Sequence, residues 1–418
     1  MEPSGNGPGS ASESSPKIGL ALAGGGPEGA IYEIGALRAL DEAVDGLDLN
    51  NLFIYVGVSA GAFICANLAN NLTTAQMCRA IVSTEPGEHP FVPETFLTPS
   101  FREMLRSYQA APRLFVESIW SWLTNRRDLT LVESLTRLSQ ALPVGVFANQ
   151  PIREYLEKIY NIKGRTDDFR QLGKRLVVVA ADLDSGQAVR FGEPGLDHVP
   201  ISQAVAASSA LPGLYPPVEI AGRHYVDGVL LKTLHASVAL EKGADLLLCI
   251  NPIVPVDTIR TVETGFMRRG QLLDHGLPSV LSQTFRTLIH SRLEVGMAAY
   301  QTRFKDADVV LFEPQSDDYL MFFTNIFSFS ERRAVCEHAY KTIRRDLLTR
   351  YDKLAPIFAE HGLTLRKDVL LEERDLWKGV ERPTPSKTSE SGHATVRRLD
   401  EVLSRLERLV AEAGDAAS

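Results

Sequence analysis

Gly57-Val58-Ser59-Ala60-Gly61 has the spacing of a nucleophile elbow, in which a serine occupies a sharp strand-to-helix turn. There the hydroxyl is open to an acyl carbon, and the N-terminal N–H groups of the following helix are aimed at whatever the serine attacks. Glycine suits positions 57 and 61, because a β-carbon at either would crowd the crossing of strand and helix. Gly24, Gly25 and Gly26 are a second candidate. Three consecutive glycines leave backbone N–H groups unshielded, which is how an oxyanion is held when no side chain donates. The third candidate is Asp227, followed by Gly228. A serine needs a base to attack at neutral pH, and a carboxylate bonded directly to the hydroxyl serves where no histidine intervenes. Each feature also has a structural reading, as a turn or as a phosphate loop. Against the phosphate loop, the glycine run lacks the lysine and Ser/Thr of a P-loop, and no ribose-binding acid stands in the expected place.

The surrounding pattern supplies elements to carry these residues. Residues 52–56 read as a buried strand and 60–69 as a helix of small and apolar residues, so Ser59 falls on the turn between them. Residues 18–23 read as an apolar strand running into the glycine run, and Ile31, Ile34, Leu37 and Leu40 mark the helix after it. Tyr225-Val226 is a short strand that ends on Asp227.

In this order the three segments resemble those of the patatin-like phospholipase family. The resemblance runs from Lys17 to Pro255 and includes two connecting stretches, Val177 to Gly186 and Ala204 to Val218. It implies a three-layer α/β/α hydrolase with a mostly parallel sheet, a helical cap insertion and a helical C-terminal extension. It also implies Ser59 as nucleophile, Asp227 as its dyad partner and general base, and Gly24, Gly25 and Gly26 as the oxyanion hole. Gly57, Gly61 and Gly228 support the motifs. Neither cofactor nor metal is required. The reaction expected is hydrolysis of lipid acyl esters through an acyl-enzyme. Alternatives are an esterase or depolymerase acting on a storage polyester, and a catalytically weak scaffold at a lipid surface.

Two departures from the family pattern bear on substrate. Glu28 stands where a basic residue is usual, so an anionic head group is repelled if the carboxylate faces the site. If it faces solvent, it complements the dipole of the helix it begins. After Asp227, Val229 replaces a small residue and Thr233-Leu234-His235-Ala236 replaces an Asn-x-Pro. A Ser-His-Asp triad is the mechanistic rival, with His235 and His275 as the nearest downstream histidines.

Composition fits a catalytic domain with additions. The 418 residues are 44% hydrophobic, ample for a sizeable core, and carry a formal charge of −8 with no extended basic run, which argues against nucleic acid as a partner. Four cysteines, at 65, 78, 249 and 336, show no regular spacing and read as buried thiols of a reducing compartment. Residues 1–16, rich in Gly, Ser and Pro, read as a disordered tail without a signal sequence. The catalytic domain is expected over 17–255, with a cap at 85–150 that includes Phe91, Trp120 and Trp122. A mainly helical extension follows over 256–379, with one strand at 309–312 and an aromatic cluster at 319–329. Residues 380–394 read as a linker. Over 395–413, Val396, Leu399, Leu403, Leu406 and Val410 form an a/d seam suited to self-association or docking on another surface. The expected location is the cytoplasm, with peripheral attachment to a membrane or lipid particle.

Overall fold

The computed structural model describes residues 16–82, 98–100, 144–316, 318 and 329–380, apart from 264, 266, 267, 269, 270 and 275. The aromatic residues of the expected cap, most of the 319–329 cluster, the 380–394 linker beyond Val380 and the 395–413 helix lie outside the described residues. The chain divides into two compact units, residues 1–374 and 375–418.

The first unit is built on one eight-stranded sheet. In chain order its strands are β1 (Ile18–Leu22), β3 (Ile54–Val58), β4 (Leu176–Asp182), β5 (Ala188–Phe191), β6 (Val218–Ile220), β7 (Arg223–Asp227), β8 (Leu246–Ile250) and β9 (Asp308–Phe312), while β2 (Val44–Asp45) pairs separately with β10 (Thr364–Leu365). The spatial order is β6-β7-β4-β3-β1-β8-β9, with β5 also on β4. Five neighbours, β4-β3-β1-β8-β9, run parallel, and β5, β6 and β7 are antiparallel additions. Strands covered on both faces read as unbroken apolar runs. Accordingly, every residue of β3, β4 and β8 is buried.

The helices of this unit are α1 (Gly26–Ala43), α2 (Ala60–Ala69), α3 (Thr74–Val82), α4 (Gln150–Tyr160), α5 (Ile201–Ser208), α6 (Ala236–Glu241), α7 (Thr258–Glu263), α8 (Gln271–Asp274), α9 (Gly276–Arg303), α10 (Phe329–Thr349), α11 (Tyr351–Glu360) and α12 (Lys367–Leu371). Alternate residues of the central strands, among them Ala21, Val56, Val58, Val177, Val179 and Leu247, pack with Leu234, Val238, Leu293 and Tyr300 of the segments around α6 and α9. Helices α1, α2 and α10 form the opposite layer. There α1 approaches α10 so closely that a β-carbon on Gly35 would lie 2.2 Å from the Cys336 carbonyl. All four cysteines are free and buried.

The expected elements around the site appear with small shifts. Strand β3 starts two residues later than the apolar run and continues through Gly57 and Val58, so it delivers the chain directly to Ser59. The 309–312 strand is β9, which joins the same sheet beside β8, so residues beyond 255 complete the core of the first unit. In the second unit the described residues contain one helix, α13 (Leu376–Val380).

Candidate active site

Sheet register sets the site. Leu22 pairs with Gly57, Val58 with Val179, and Ala180 with Asp227, so the ends of β1, β3 and β7 form one row across the sheet. Asp227 nevertheless starts two strands away from β3. The chain closes that gap by crossing directly over β4: a β-carbon on Gly228 would sit 2.6 Å from the Val179 carbonyl oxygen. Glycine is what permits the crossing.

Ser59 adopts φ 53° and ψ −121°, a strained conformation for a residue with a side chain. The surroundings enforce it. The Ser59 N–H donates to Ser208 Oγ at 2.8 Å, and Ser208 Oγ donates to the Val179 carbonyl at 2.6 Å. The Gly61 N–H donates to the Ala23 carbonyl at 2.9 Å, tying the elbow to the end of β1. Both elbow glycines are sterically required. A β-carbon on Gly57 would lie 2.4 Å from Ala62 Cα, and one on Gly61 would lie 2.5 Å from the carbonyls of Leu22 and Ala23.

The Ser59 side chain lies close enough to the Asp227 carboxyl to favour its ionised form. Asp227 is 1% exposed, and its Oδ1 accepts from the Val229 N–H at 2.9 Å, which fixes the carboxyl plane. Burial pushes its pKa up to about 7, a rise tempered by the nearby Ser59 hydroxyl and by the bond from the Val229 N–H. Near neutral pH such a carboxylate is poised to accept a proton.

Gly24 abuts the elbow, since a β-carbon there would be 3.2 Å from Ser59 Cβ. Gly25 caps α1 and Gly26 begins it with φ +61°, a conformation natural to glycine. Among the described residues no protein acceptor takes the N–H groups of Gly24, Gly25 or Gly26. A cavity of about 70 Å³ opens beside Ser59, walled by Pro27 and Ala30 of α1, Phe63 of α2, Ile152 of α4, and Tyr215.

Glu28 does not line this cavity. Its Oε1 is buried and without a hydrogen-bond partner. Burial raises its pKa to about 7; the Arg286 charge opposes the rise and Asp318 adds to it. Of the rival histidines, His235 is buried behind Asp227 with Nε2 3.4 Å from the Gly228 carbonyl, and burial lowers its pKa to about 4. His290, His338 and His361 pair with Glu294, Asp318 and Asp308. His275 lies outside the described residues. Among the described residues no cluster of metal-ligating side chains occurs, and no helix is long and apolar enough to cross a membrane.

Two residues escaped the motif reading. Ser208 is one, although its position in the Ser208-Ser209 pair at the end of α5 was a visible signal. Glu33 is the other: it is fully buried in α1, and both carboxyl oxygens lack a hydrogen-bond partner. Nothing in the periodicity of α1 marks it.

The fold is a three-layer α/β arrangement whose mostly parallel sheet gathers three loops at one edge. Residues 20–240 match the patatin-like phospholipase family, and the chain belongs to that family of lipid hydrolases. Among solved structures it is similar to VipD from Legionella pneumophila, at 16% identity and a TM-score of 0.36, over 80% of this chain and 68% of that one. It is also similar to the type III effector protein ExoU, at 14% identity and a TM-score of 0.34, over 81% of this chain and 53% of that one. A third likeness is to human GIVD cytosolic phospholipase A2 in complex with methyl gamma-linolenyl fluorophosphonate, at 14% identity and a TM-score of 0.24, over 60% of this chain and 43% of that one.

Proposed function

We propose that the protein hydrolyses carboxylic esters of lipids through a Ser59–Asp227 dyad. The observation that carries this reading is Ser59 on its strained elbow, lining a mostly apolar cavity, beside the buried Asp227 carboxyl. Asp227 takes the hydroxyl proton as Ser59 Oγ attacks the ester carbonyl. The tetrahedral oxyanion is held by N–H groups of Gly24, Gly25 and Gly26. Collapse breaks the bond to the alcohol, which leaves with the proton from Asp227, and the acyl group remains on Ser59. Water then attacks, giving its proton to Asp227. The second collapse releases the acid and returns the proton to Ser59 Oγ. The acyl chain occupies the cavity between α1, α2 and α4. Peripheral attachment to a membrane or lipid particle belongs to the same proposal.

The cavity's size favours a second substrate reading. An ester with a short acyl unit, such as those of a storage polyester, also fits a cavity of about 70 Å³. A panel of phospholipids, neutral lipids and short polyesters separates the two. For the dyad, Ser59→Ala and Asp227→Asn are each expected to lower hydrolysis by about a thousandfold or more without unfolding the protein. A fluorophosphonate probe should label the wild type and not Ser59→Ala. Labelling that survives in the alanine variant moves the nucleophile elsewhere.

A further inference from the structure

We infer that Ser209 is a further catalytic residue, whose hydroxyl contacts the alcohol oxygen of the ester as it leaves and the water oxygen as it attacks. The inference rests on reading the site as a Ser59 hydrolase. Three of the four substituents of a tetrahedral intermediate on Ser59 already have a place. Ser59 Oγ is one, the glycine loop receives the oxyanion, and Pro27, Ala30, Phe63 and Ile152 offer the acyl chain an apolar wall. The fourth substituent is an oxygen in both half-reactions, because attack by water retraces the departure of the alcohol. It needs a polar neighbour. Of the residues lining the cavity, only Ser59, Ser209 and Tyr215 carry a polar side-chain atom.

The chain at 208–210 is fastened to both members of the dyad. Ser208 Oγ accepts from the Ser59 N–H at 2.8 Å, and the Ala210 carbonyl accepts from the Asp227 N–H at 3.0 Å. Ser209 thus stands between a residue bonded to the nucleophile and a residue bonded to the base. Its own backbone is satisfied at the end of α5, where its N–H donates to the Val205 carbonyl at 3.0 Å and its carbonyl accepts from the Leu211 N–H at 2.9 Å. Only the side chain is left over. The hydroxyl of half-buried Ser209 has no hydrogen-bond partner among the described residues, whereas that of Ser208 is spent on Ser59 and on the Val179 carbonyl. An unpaired hydroxyl beside apolar walls adds nothing to the fold and leaves a bond for a ligand. Tyr215 is anchored elsewhere, with its N–H on the Leu211 carbonyl at 2.9 Å and its ring 6.0 Å from that of Phe147.

In acylation the intermediate collapses by breaking the carbon–oxygen bond to the alcohol. Asp227 returns its proton to that oxygen, and the Ser209 O–H donates a hydrogen bond to it while negative charge builds there. In deacylation the water oxygen bonds to the acyl carbon as Asp227 takes one of its protons, and Ser209 Oγ accepts a hydrogen bond from the other. Ser209 keeps its own proton throughout. Such a contact counts most for a poor leaving group, since nitrophenolate departs unaided and ethoxide does not.

The test uses the full chain and two esters that differ only in leaving group, p-nitrophenyl butyrate and ethyl butyrate. For each, kcat/KM reports acylation. Deacylation is read as the decay of butyryl-Ser59, formed with one equivalent of the nitrophenyl ester and followed by mass after acid quench. Ser209→Ala is expected to stay within about threefold in kcat/KM on the nitrophenyl ester, to lose about tenfold or more on ethyl butyrate, and to slow the decay about tenfold. Ser209→Thr, which keeps the hydroxyl, should recover most of both losses. The melting temperature of the alanine variant should hold within about two degrees, because no bond within the fold is removed. Equal losses on the two esters, or an unchanged decay, overturn the inference. The same selective loss in Tyr215→Phe, with Ser209→Ala unaffected, gives the contact to Tyr215 and overturns it as well. A wild type that forms no butyryl adduct on Ser59 brings down the hydrolase reading and the inference with it, whereas an adduct that decays alike in wild type and Ser209→Ala removes the inference alone.

Discussion

At the scale of single residues, buried carboxyls give this protein opposite pH dependences for activity and stability. Asp227 is active in the proposed mechanism only when ionised. Activity on a soluble ester should therefore rise with pH through an apparent pKa of about 7. Its folded-state pKa lies above the unfolded value of 3.8, so the folded protein keeps a proton that the unfolded chain has released. The stability this contributes is complete below the unfolded value and is lost as pH rises through about 7. Glu28 acts in the same direction over the same window, and Glu33, held well above the usual carboxylate range by burial, adds to it at higher pH. Asp227→Asn does not titrate. Its melting temperature should come closest to the wild type at or below about pH 4, already exceed it near pH 5 and exceed it most near pH 8, with at most about 4 kcal/mol of relative stabilisation. A difference that does not change with pH would mean that the Asp227 carboxyl titrates alike in the folded and unfolded states. Charge reversal at Glu28 would bring a second guanidinium against Arg286, so Glu28→Arg should lower the melting temperature well below that of Glu28→Gln, whatever its effect on head-group preference.

At the scale of elements, backbone crossings position the chemistry and cavity walls set what it acts on. Gly61→Ala places a methyl group 2.5 Å from two carbonyls of β1, where backbone has to move. We expect a loss above about 2 kcal/mol in denaturant unfolding and a larger proportional loss of activity, because the displaced strand carries Gly24 away from Ser59. Ala30→Leu should project into the cavity from α1 and shorten it. Hydrolysis of p-nitrophenyl esters should shift toward acetate, with longer acyl chains falling about tenfold, and the melting temperature should hold because the space is already present. These elements were legible in the sequence, since each glycine stood at a junction between an apolar run and a helical period. Ser208 and the crossing at Gly228 were not legible as geometry. Their roles depend on Val179 of β4, and nothing in the local sequence says that β4 passes beneath them.

At the scale of the whole molecule, the change in sequence pattern after residue 255 misrepresents how the core is assembled. Strand β9 lies 58 residues beyond β8 in the chain, yet it extends the sheet in parallel from Leu246–Asp308 to Ile250–Phe312. A parallel partner needs a long crossover, here α7 to α9, and no local signal announces the pairing. Tyr340 of α10 donates to Glu42 of α1 at 2.5 Å, and Arg366 pairs with Asp45 at 2.8 Å, so residues up to 374 fasten the layer that begins behind the glycine loop. Truncation anywhere between 256 and 374 should accordingly destroy folding and activity together. Residues 375–418 form a unit of their own, and the expected role of 395–413 is attachment, separate from chemistry. The charges there are mixed, with Arg397, Arg398, Arg405 and Arg408 against Asp400, Glu401, Glu407 and Glu412, so attraction to an anionic layer is weak. Truncation after Val380, which keeps buried Leu376, Trp377 and Val380, should leave hydrolysis of a soluble ester within about twofold and lower the melting temperature by no more than a few degrees. It should change sedimentation or particle association if the seam at Val396 to Val410 engages a partner. Loss of soluble-ester activity together with thermal stability would instead make the C-terminal segment part of the structural core.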